Sequence, residues 1–155
     1  MNKQSSVIHW FTQSAGVIFF VTGLSEIWSA LGQAEVLHRI DPILHLKFSY
    51  LMFIAGVTEI SVAIICLVGK VQSFARVAVA WLATSLFTYR IGLWWIGWHR
   101  PCNCLGNLTD AIHISPQLAD DLMKCLLTYL LMGSYIALLW LWRQRNKTVP
   151  VPTQN

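Results

Sequence analysis

Charged side chains are scarce in this chain. Only 12% of its residues are charged, 55% are apolar, and the mean hydropathy is +0.54. A soluble globular domain carries roughly 25% charged residues, so the shortage excludes an ordinary soluble fold. The sequence also lacks a phosphate-binding loop and a Ser-His-Asp nucleophile set, which excludes the common soluble enzyme classes built on them. A length of 155 residues allows one domain.

Four long apolar runs predict an all-α integral membrane protein folded as a four-helix bundle. Each run exceeds the roughly 20 residues that cross a ~30 Å hydrocarbon core. Asp41-Pro42 and Ser115-Pro116 each combine a capping side chain with a proline suited to the first helical position. The predicted spans are residues 7–31, 42–68, 73–98 and 116–142, within a membrane domain of residues 1–145. The proline-containing tail, residues 146–155, is predicted to be disordered and cytoplasmic.

Acidic residues are missing from three of the segments that flank these spans. The N-terminus, the second connection and the tail carry basic side chains only, whereas the first and third connections carry both signs. The positive-inside rule therefore predicts that both termini are cytoplasmic and that the first and third connections face outward. Basic residues at cytoplasmic helix ends also account for the net charge of +4, so no nucleic-acid partner is predicted.

Two cysteines, Cys102 and Cys104, follow the third span on a segment that begins with Pro101 and turns at Gly106. The spacing of a Cys-x-Cys pair lies at the upper edge of disulfide geometry, so a bond between them should be strained and easily reduced. Arg100 beside the pair favours the reactive thiolate. The pattern predicts thiol–disulfide exchange at the outer surface.

Cys125, in the first turns of the fourth span, is predicted to be a third outward thiol that takes part in this chemistry. A permanent staple between Cys125 and one loop cysteine is the structural alternative. His99 and His113 could join the cysteines around zinc or copper, but histidines are ordinary at a membrane interface, and no metal site is predicted. Cys66, inside the second span, is interpreted as a small buried hydrophobe.

Three ionisable residues, Glu26, Glu59 and Arg90, fall inside the spans, where such residues are functional candidates by default. Glu26 and Arg90 have similar predicted depths, which allows an ion pair between them. One interpretation is that the three charges only fix the bundle. The other is a polar pocket beneath the cysteines that handles a quinone head group or a proton. Gly23 and Gly56 lie on the same faces as the glutamates and predict close helix contact.

These features together resemble the MauE/DoxX-like family of bacterial four-helix membrane proteins. The resemblance covers residues 12–142. The motifs that carry it are Gly23-Leu24-Ser25-Glu26, Asp41-Pro42, Glu59 and Pro101-Cys102-Asn103-Cys104-Leu105-Gly106. It implies a protein of the bacterial inner membrane whose redox pair, Cys102 and Cys104, faces the periplasm, with Glu26 and Glu59 as intramembrane polar positions. Relatives often carry a lysine where this chain has Glu26.

The resemblance also implies a role in the maturation or electron transfer of a periplasmic partner, as in methylamine utilisation. That partner would be a thioredoxin-like or disulfide-bearing protein, and a quinone as electron acceptor is left open. The chain would then be a thiol–disulfide oxidoreductase or an accessory factor. The alternative is a non-catalytic structural subunit of a larger membrane complex with a disulfide-stapled outer loop. A transporter is disfavoured, because the sequence has neither an internal repeat nor a pair of interrupted helices.

Overall fold

The structure, a computed structural model, describes residues 3–32, 37, 40–69, 72–97 and 115–147. These residues form four helices: α1 (Lys3–Ala30), α2 (Phe48–Val68), α3 (Gln72–Trp95) and α4 (Pro116–Lys147). Each helix contains a stretch long and apolar enough to cross a membrane. The all-α prediction with four spans is therefore confirmed, and the protein is a multi-pass membrane protein that resides in a lipid bilayer.

Helices α1 and α2 are antiparallel and pack with their backbones close together. A methyl group at Gly23 would lie 2.8 Å from the carbonyl oxygen of Gly56, and one at Gly56 would lie 2.7 Å from that of Gly23. Further along, a methyl group at Gly16 would lie 2.9 Å from Cβ of Cys66. Only residues without a side chain allow this approach, so the predicted small-residue contact is confirmed.

Helix α4 contacts both α3 and α1. The hydroxyl groups of Thr84 on α3 and Tyr135 on α4 are 3.1 Å apart, and those of Ser14 on α1 and Tyr129 on α4 are 2.8 Å apart. The ring of Tyr129 also packs edge-on against Phe11 of α1. These interhelical hydrogen bonds suit a medium in which a free hydroxyl group finds no water.

The apolar core lies where the helices meet and is built mainly of small side chains. Its buried members are Ala15, Phe19, Val62, Ala63, Cys66, Ala75, Val79, Leu82, Ala83 and Leu130. Many larger apolar side chains, such as Trp10, Trp81 and Ile136, are instead exposed on the outer faces of the helices. In a lipid-facing surface this distribution carries no penalty, because the surrounding hydrocarbon is as apolar as the side chains.

Helix α2 begins at Phe48 rather than at Pro42, because the intervening residues form a turn. Ile40 and Lys47 pair in an isolated antiparallel bridge, and the N–H of Asp41 donates to the carbonyl of Leu46 at 2.8 Å. The chain reverses direction between these residues, which is incompatible with a helix that starts at Pro42. Asp41 caps this turn, not the helix.

Helix α4 continues to Lys147, past the predicted end of the fourth span at residue 142 and into the first residues of the predicted tail. The remainder of that tail, residues 148–155, lies outside the described residues. Helix α3 ends at Trp95, and the turn that follows contains Gly97 with a φ of +76°. This left-handed conformation is one that glycine adopts without strain, so the helix ends there.

The two long connections, between α1 and α2 and between α3 and α4, lie at the same end of the bundle. Near the end of α3, the hydroxyl of Tyr89 donates to Asp41, which lies in the connection between α1 and α2. We call this the loop end: it is the end at which α1 and α3 finish and α2 and α4 begin. Residues 98–114, which include Cys102 and Cys104, therefore leave and rejoin the described structure at the loop end. Which side of the membrane it faces stays a prediction.

Candidate functional site

The predicted redox pair lies outside the described residues, as do Arg100, His99 and His113. Cys125 lies near the start of α4, where it is exposed, and it forms no disulfide within the described part of the chain. Cys66 is buried in the core, as expected for a packing residue. The structure thus describes the two helix ends that flank the cysteine-bearing segment, the last two turns of α3 and the first turns of α4. We call these the supports. It also describes one of the three predicted thiols, that of Cys125.

A cluster of charges joins these two supports. Nη2 of Arg90 on α3 lies 3.0 Å from Oδ1 of Asp120 on α4, as an ion pair without hydrogen-bond alignment. Nζ of Lys124 lies 2.7 Å from Oδ2 of Asp120, one helical turn away. The possible pair between Glu26 and Arg90 does not form, because Arg90 faces α4. Equal depth in the membrane did not reveal which side of each helix faces its neighbour.

Removing the charge of Asp120 should weaken the contact between the end of α3 and the start of α4. We expect Asp120→Asn to lower the free energy of unfolding by roughly 1–2 kcal/mol, between the values for exposed and buried ion pairs, because both partners are partly exposed. Unfolding in mixed micelles, followed by circular dichroism, measures this effect. Asp121→Asn is the matched control, since Asp121 is 76% exposed and its ion pair among the described residues is a longer one, with Lys124 at 3.4 Å. Equal losses in the two variants would contradict a specific role for Asp120.

Two carboxyl groups, those of Glu26 and Glu59, come together at the interface of α1 and α2. Both side chains are buried, with 7% of Glu26 and 2% of Glu59 exposed, and Glu26 lies close enough to Glu59 to experience its charge. The hydroxyl of Thr22 is hydrogen-bonded to Oε2 of Glu59. Oε2 of Glu26 and the hydroxyl of Ser29 have no hydrogen-bond partner among the described residues. We call Glu26 and Glu59 the carboxyl pair.

The three ionisable residues predicted inside the membrane therefore lie at two different helix interfaces. The carboxyl pair lies between α1 and α2, and Arg90 lies between α3 and α4. Thr22 was missed in the sequence, although it lies one helical turn before Glu26, on the same side of α1. That spacing is the signal that could have identified it.

Asp41, at the loop end, is a third buried acid, and its described side-chain partners are all donors. Its Oδ1 accepts the N–H groups of Ile43 and Leu44, at 2.9 and 2.6 Å, and its Oδ2 accepts the hydroxyl of Tyr89 at 2.5 Å. The first two bonds form the turn before α2, and the third fixes that turn to α3. Tyr89 is a partner that the sequence did not indicate.

An open groove of about 800 Å³ runs between α3 and α4 and is covered at the loop end by the turn that follows Asp41. Its lining is almost wholly apolar, with a few hydroxyl groups along it. The lining residues are Ile43, Leu44, Val77, Ala80, Trp81, Thr84, Ser85, Thr88, Tyr89, Gly92, Tyr135 and Leu138. A long apolar molecule with a small polar head, such as a quinone, suits this composition. The carboxyl pair does not line it.

Within the described residues, no group of three or more His, Cys, Asp or Glu side chains could hold a metal ion. No family model matches the chain, and neither a curated protein nor a solved structure matches it. The resemblance to the MauE/DoxX-like family therefore stays a prediction, and the fold and site rest on the chain's own residues.

Proposed function

We propose that this protein is a thiol–disulfide exchange protein, or an accessory factor to such exchange, in the bacterial inner membrane. Cys102 and Cys104 form the reactive pair and face the periplasm, where a thioredoxin-like or disulfide-bearing protein is the partner. The observation that supports this most is the ion pair of Arg90 and Asp120, which fixes together the two helices from which the Cys-x-Cys segment extends. The exposed thiol of Cys125 lies little more than one turn after Asp120.

The proposed reaction has two steps. The thiolate of one loop cysteine attacks a disulfide of the partner, forms a mixed disulfide and releases one partner sulfur as a thiolate. The second loop cysteine then attacks its own neighbour's sulfur, which closes the Cys102–Cys104 disulfide and frees the reduced partner. Two electrons pass from the pair to the partner, and the reverse sequence oxidises the partner. Arg100 stabilises the attacking thiolate by its charge.

A quinone that accepts two electrons and two protons would allow the pair to be oxidised again. The groove between α3 and α4 supports this extension of the proposal, because it opens along the two helices that carry the cysteine segment and ends beneath Leu44 and Tyr89. The hydroxyl groups of Thr84 and Tyr135 are among the polar groups that could orient a head group there. The exchange reaction itself does not depend on this route.

Removing the resolving cysteine should trap the partner. We expect Cys102→Ser or Cys104→Ser, whichever removes the second nucleophile, to accumulate a mixed disulfide with a periplasmic protein. Non-reducing electrophoresis of cells quenched with acid and alkylated, followed by mass spectrometry, detects this species. Cys66→Ser is the matched control and should trap nothing, because Cys66 is buried in the core. Absence of a mixed disulfide in both loop variants would contradict the proposal.

The second candidate function is that of a non-catalytic subunit of a membrane complex. It is favoured by the exposed position of Cys125 near the start of α4, from which a fixed staple to one loop cysteine could form. The extensive exposed apolar faces would then contact other subunits as well as lipid. The two candidates differ in the reduction potential that they require of the outer cysteines.

A further inference from the structure

Among the described residues, no basic side chain forms a salt bridge with the buried carboxyl pair. Described salt bridges involve Arg90 and Lys124, not Glu26 or Glu59. An ionised carboxylate held away from water is very costly unless it is paired with a cation or accepts several hydrogen bonds. Two of them side by side also repel each other. The described residues therefore leave negative charge that something else must neutralise.

The hydrogen bonds around Thr22 indicate that a proton neutralises the negative charge of the carboxyl pair. The hydroxyl oxygen of Thr22 lies 3.0 Å from the carbonyl oxygen of Ile18 and 3.4 Å from that of Phe19, and it also contacts Oε2 of Glu59. A hydroxyl group has one proton to donate, and inside a helix it commonly donates it to the carbonyl one turn earlier. The contact with Glu59 then needs a second proton, which the carboxylic acid form of Glu59 supplies.

The unsatisfied atoms lie on the same side of α1. Oε2 of Glu26 has no hydrogen-bond partner among the described residues, and neither does the hydroxyl of Ser29, which lies three residues later and is 2% exposed. Buried polar atoms almost always have partners, so these two mark a place where a further proton or donor is accommodated.

Among the described residues of α3 and α4, no cation forms a salt bridge with the pair. On α3 and α4, Arg90 is engaged with Asp120, and Tyr89 with Asp41. Arg76 lies in the first turns of α3, at the opposite end of the bundle from Arg90. On α2 the other titratable side chains are that of Tyr50, which is 61% exposed, and the buried thiol of Cys66, two turns after Glu59.

We propose that Glu26 and Glu59 form a proton-binding site inside the membrane, in which the pair retains at least one proton at neutral pH and Thr22 accepts a hydrogen bond from the acid form. A single carboxyl oxygen can hold a proton, whereas a metal ion needs more ligands than the described side chains bring together here. The site is independent of the thiol reaction, so failure of either proposal leaves the other standing.

Infrared spectroscopy of the full chain in lipid nanodiscs tests this, because a protonated carboxyl group and a carboxylate absorb at separate frequencies. The chain has only three glutamates, Glu26, Glu35 and Glu59, so ¹³C-glutamate labelling assigns the band without any substitution. We expect a protonated glutamate band at pH 7 that shifts with the label and in D₂O. It should disappear in the double variant Glu26→Gln/Glu59→Gln and persist in Asp121→Asn, the exposed control.

Two results would overturn the proposal. The first is the absence of any label-sensitive protonated band at pH 7, which would mean that both carboxyl groups are ionised. The second is a band that appears only when sodium is withdrawn, which would make this a monovalent cation site. Because the labelled wild-type protein gives both readings, the test does not depend on the variants folding.

Discussion

Replacing Gly56 with leucine is expected to lower the free energy of unfolding by about 3 kcal/mol, the upper end of the usual range for overpacking. Even a methyl group at this position would lie 2.7 Å from the carbonyl oxygen of Gly23 and 2.8 Å from Cγ1 of Ile27. Because a carbonyl oxygen belongs to the backbone, it cannot move aside as a flexible side chain can. The two helices must separate, and the contacts along their whole interface weaken together.

The same substitution at Gly92 on α3 is the matched control. There an added Cβ would meet, among the described residues, only the terminal carbon of Ile43, at 3.0 Å, beside the open groove. We expect Gly92→Leu to cost less than about 1 kcal/mol, since a flexible side-chain end can give way. Reversible unfolding in mixed micelles compares the two variants. A loss at Gly92 as large as that at Gly56 would contradict the close packing of α1 and α2.

Asp41→Ala is the second substitution with a large expected effect, also about 3 kcal/mol. It removes the acceptor of two backbone N–H groups and of the Tyr89 hydroxyl, and each buried donor left unpaired costs about 1–3 kcal/mol. Some of this cost is recovered if water reaches the turn at the membrane surface. The expected result is a lower unfolding midpoint together with loosening of the turn that precedes α2.

Asp41→Asn separates the two functions of this side chain. An amide oxygen can still accept the N–H groups of Ile43 and Leu44. The amide nitrogen that replaces Oδ2 cannot accept, so this variant should lose only the bond that the Tyr89 hydroxyl donates. Its loss in the same unfolding experiment should be about 1 kcal/mol, and adding Tyr89→Phe should add little, because both changes remove one interaction. Additive losses would show that Tyr89 and Asp41 do not act as a pair.

The four spans were predictable because the thickness and apolarity of the bilayer fix the length and hydropathy of a spanning helix, whatever its packing. Close contact of α1 and α2 was predictable for a similar reason: small residues repeated on one face have few other uses in a membrane helix. The start of α2 was not. An aspartate followed by proline opens a helix or a turn equally well, and here hydrogen bonds across the turn and from Tyr89 select the turn.

The partners of the buried charges were also beyond the sequence. Distance along a helix gave the depths of Glu26 and Arg90, but the rotation of each helix about its axis decides which neighbour a side chain meets. Asp120 belongs to the helix that begins at Pro116, and its spacing from Lys124 indicates a position on one helical face. Only the packing of α3 against α4 brings Arg90 to it.

The measurement that tests the proposed exchange most directly is a redox titration of Cys102, Cys104 and Cys125 by thiol trapping in intact cells, with and without a mild reductant. A pair that titrates at or above about −200 mV, in the range of known exchange proteins, is the result that we predict. A disulfide that resists reduction to below about −300 mV would be a permanent staple. That result would contradict thiol exchange and favour a structural subunit of a membrane complex.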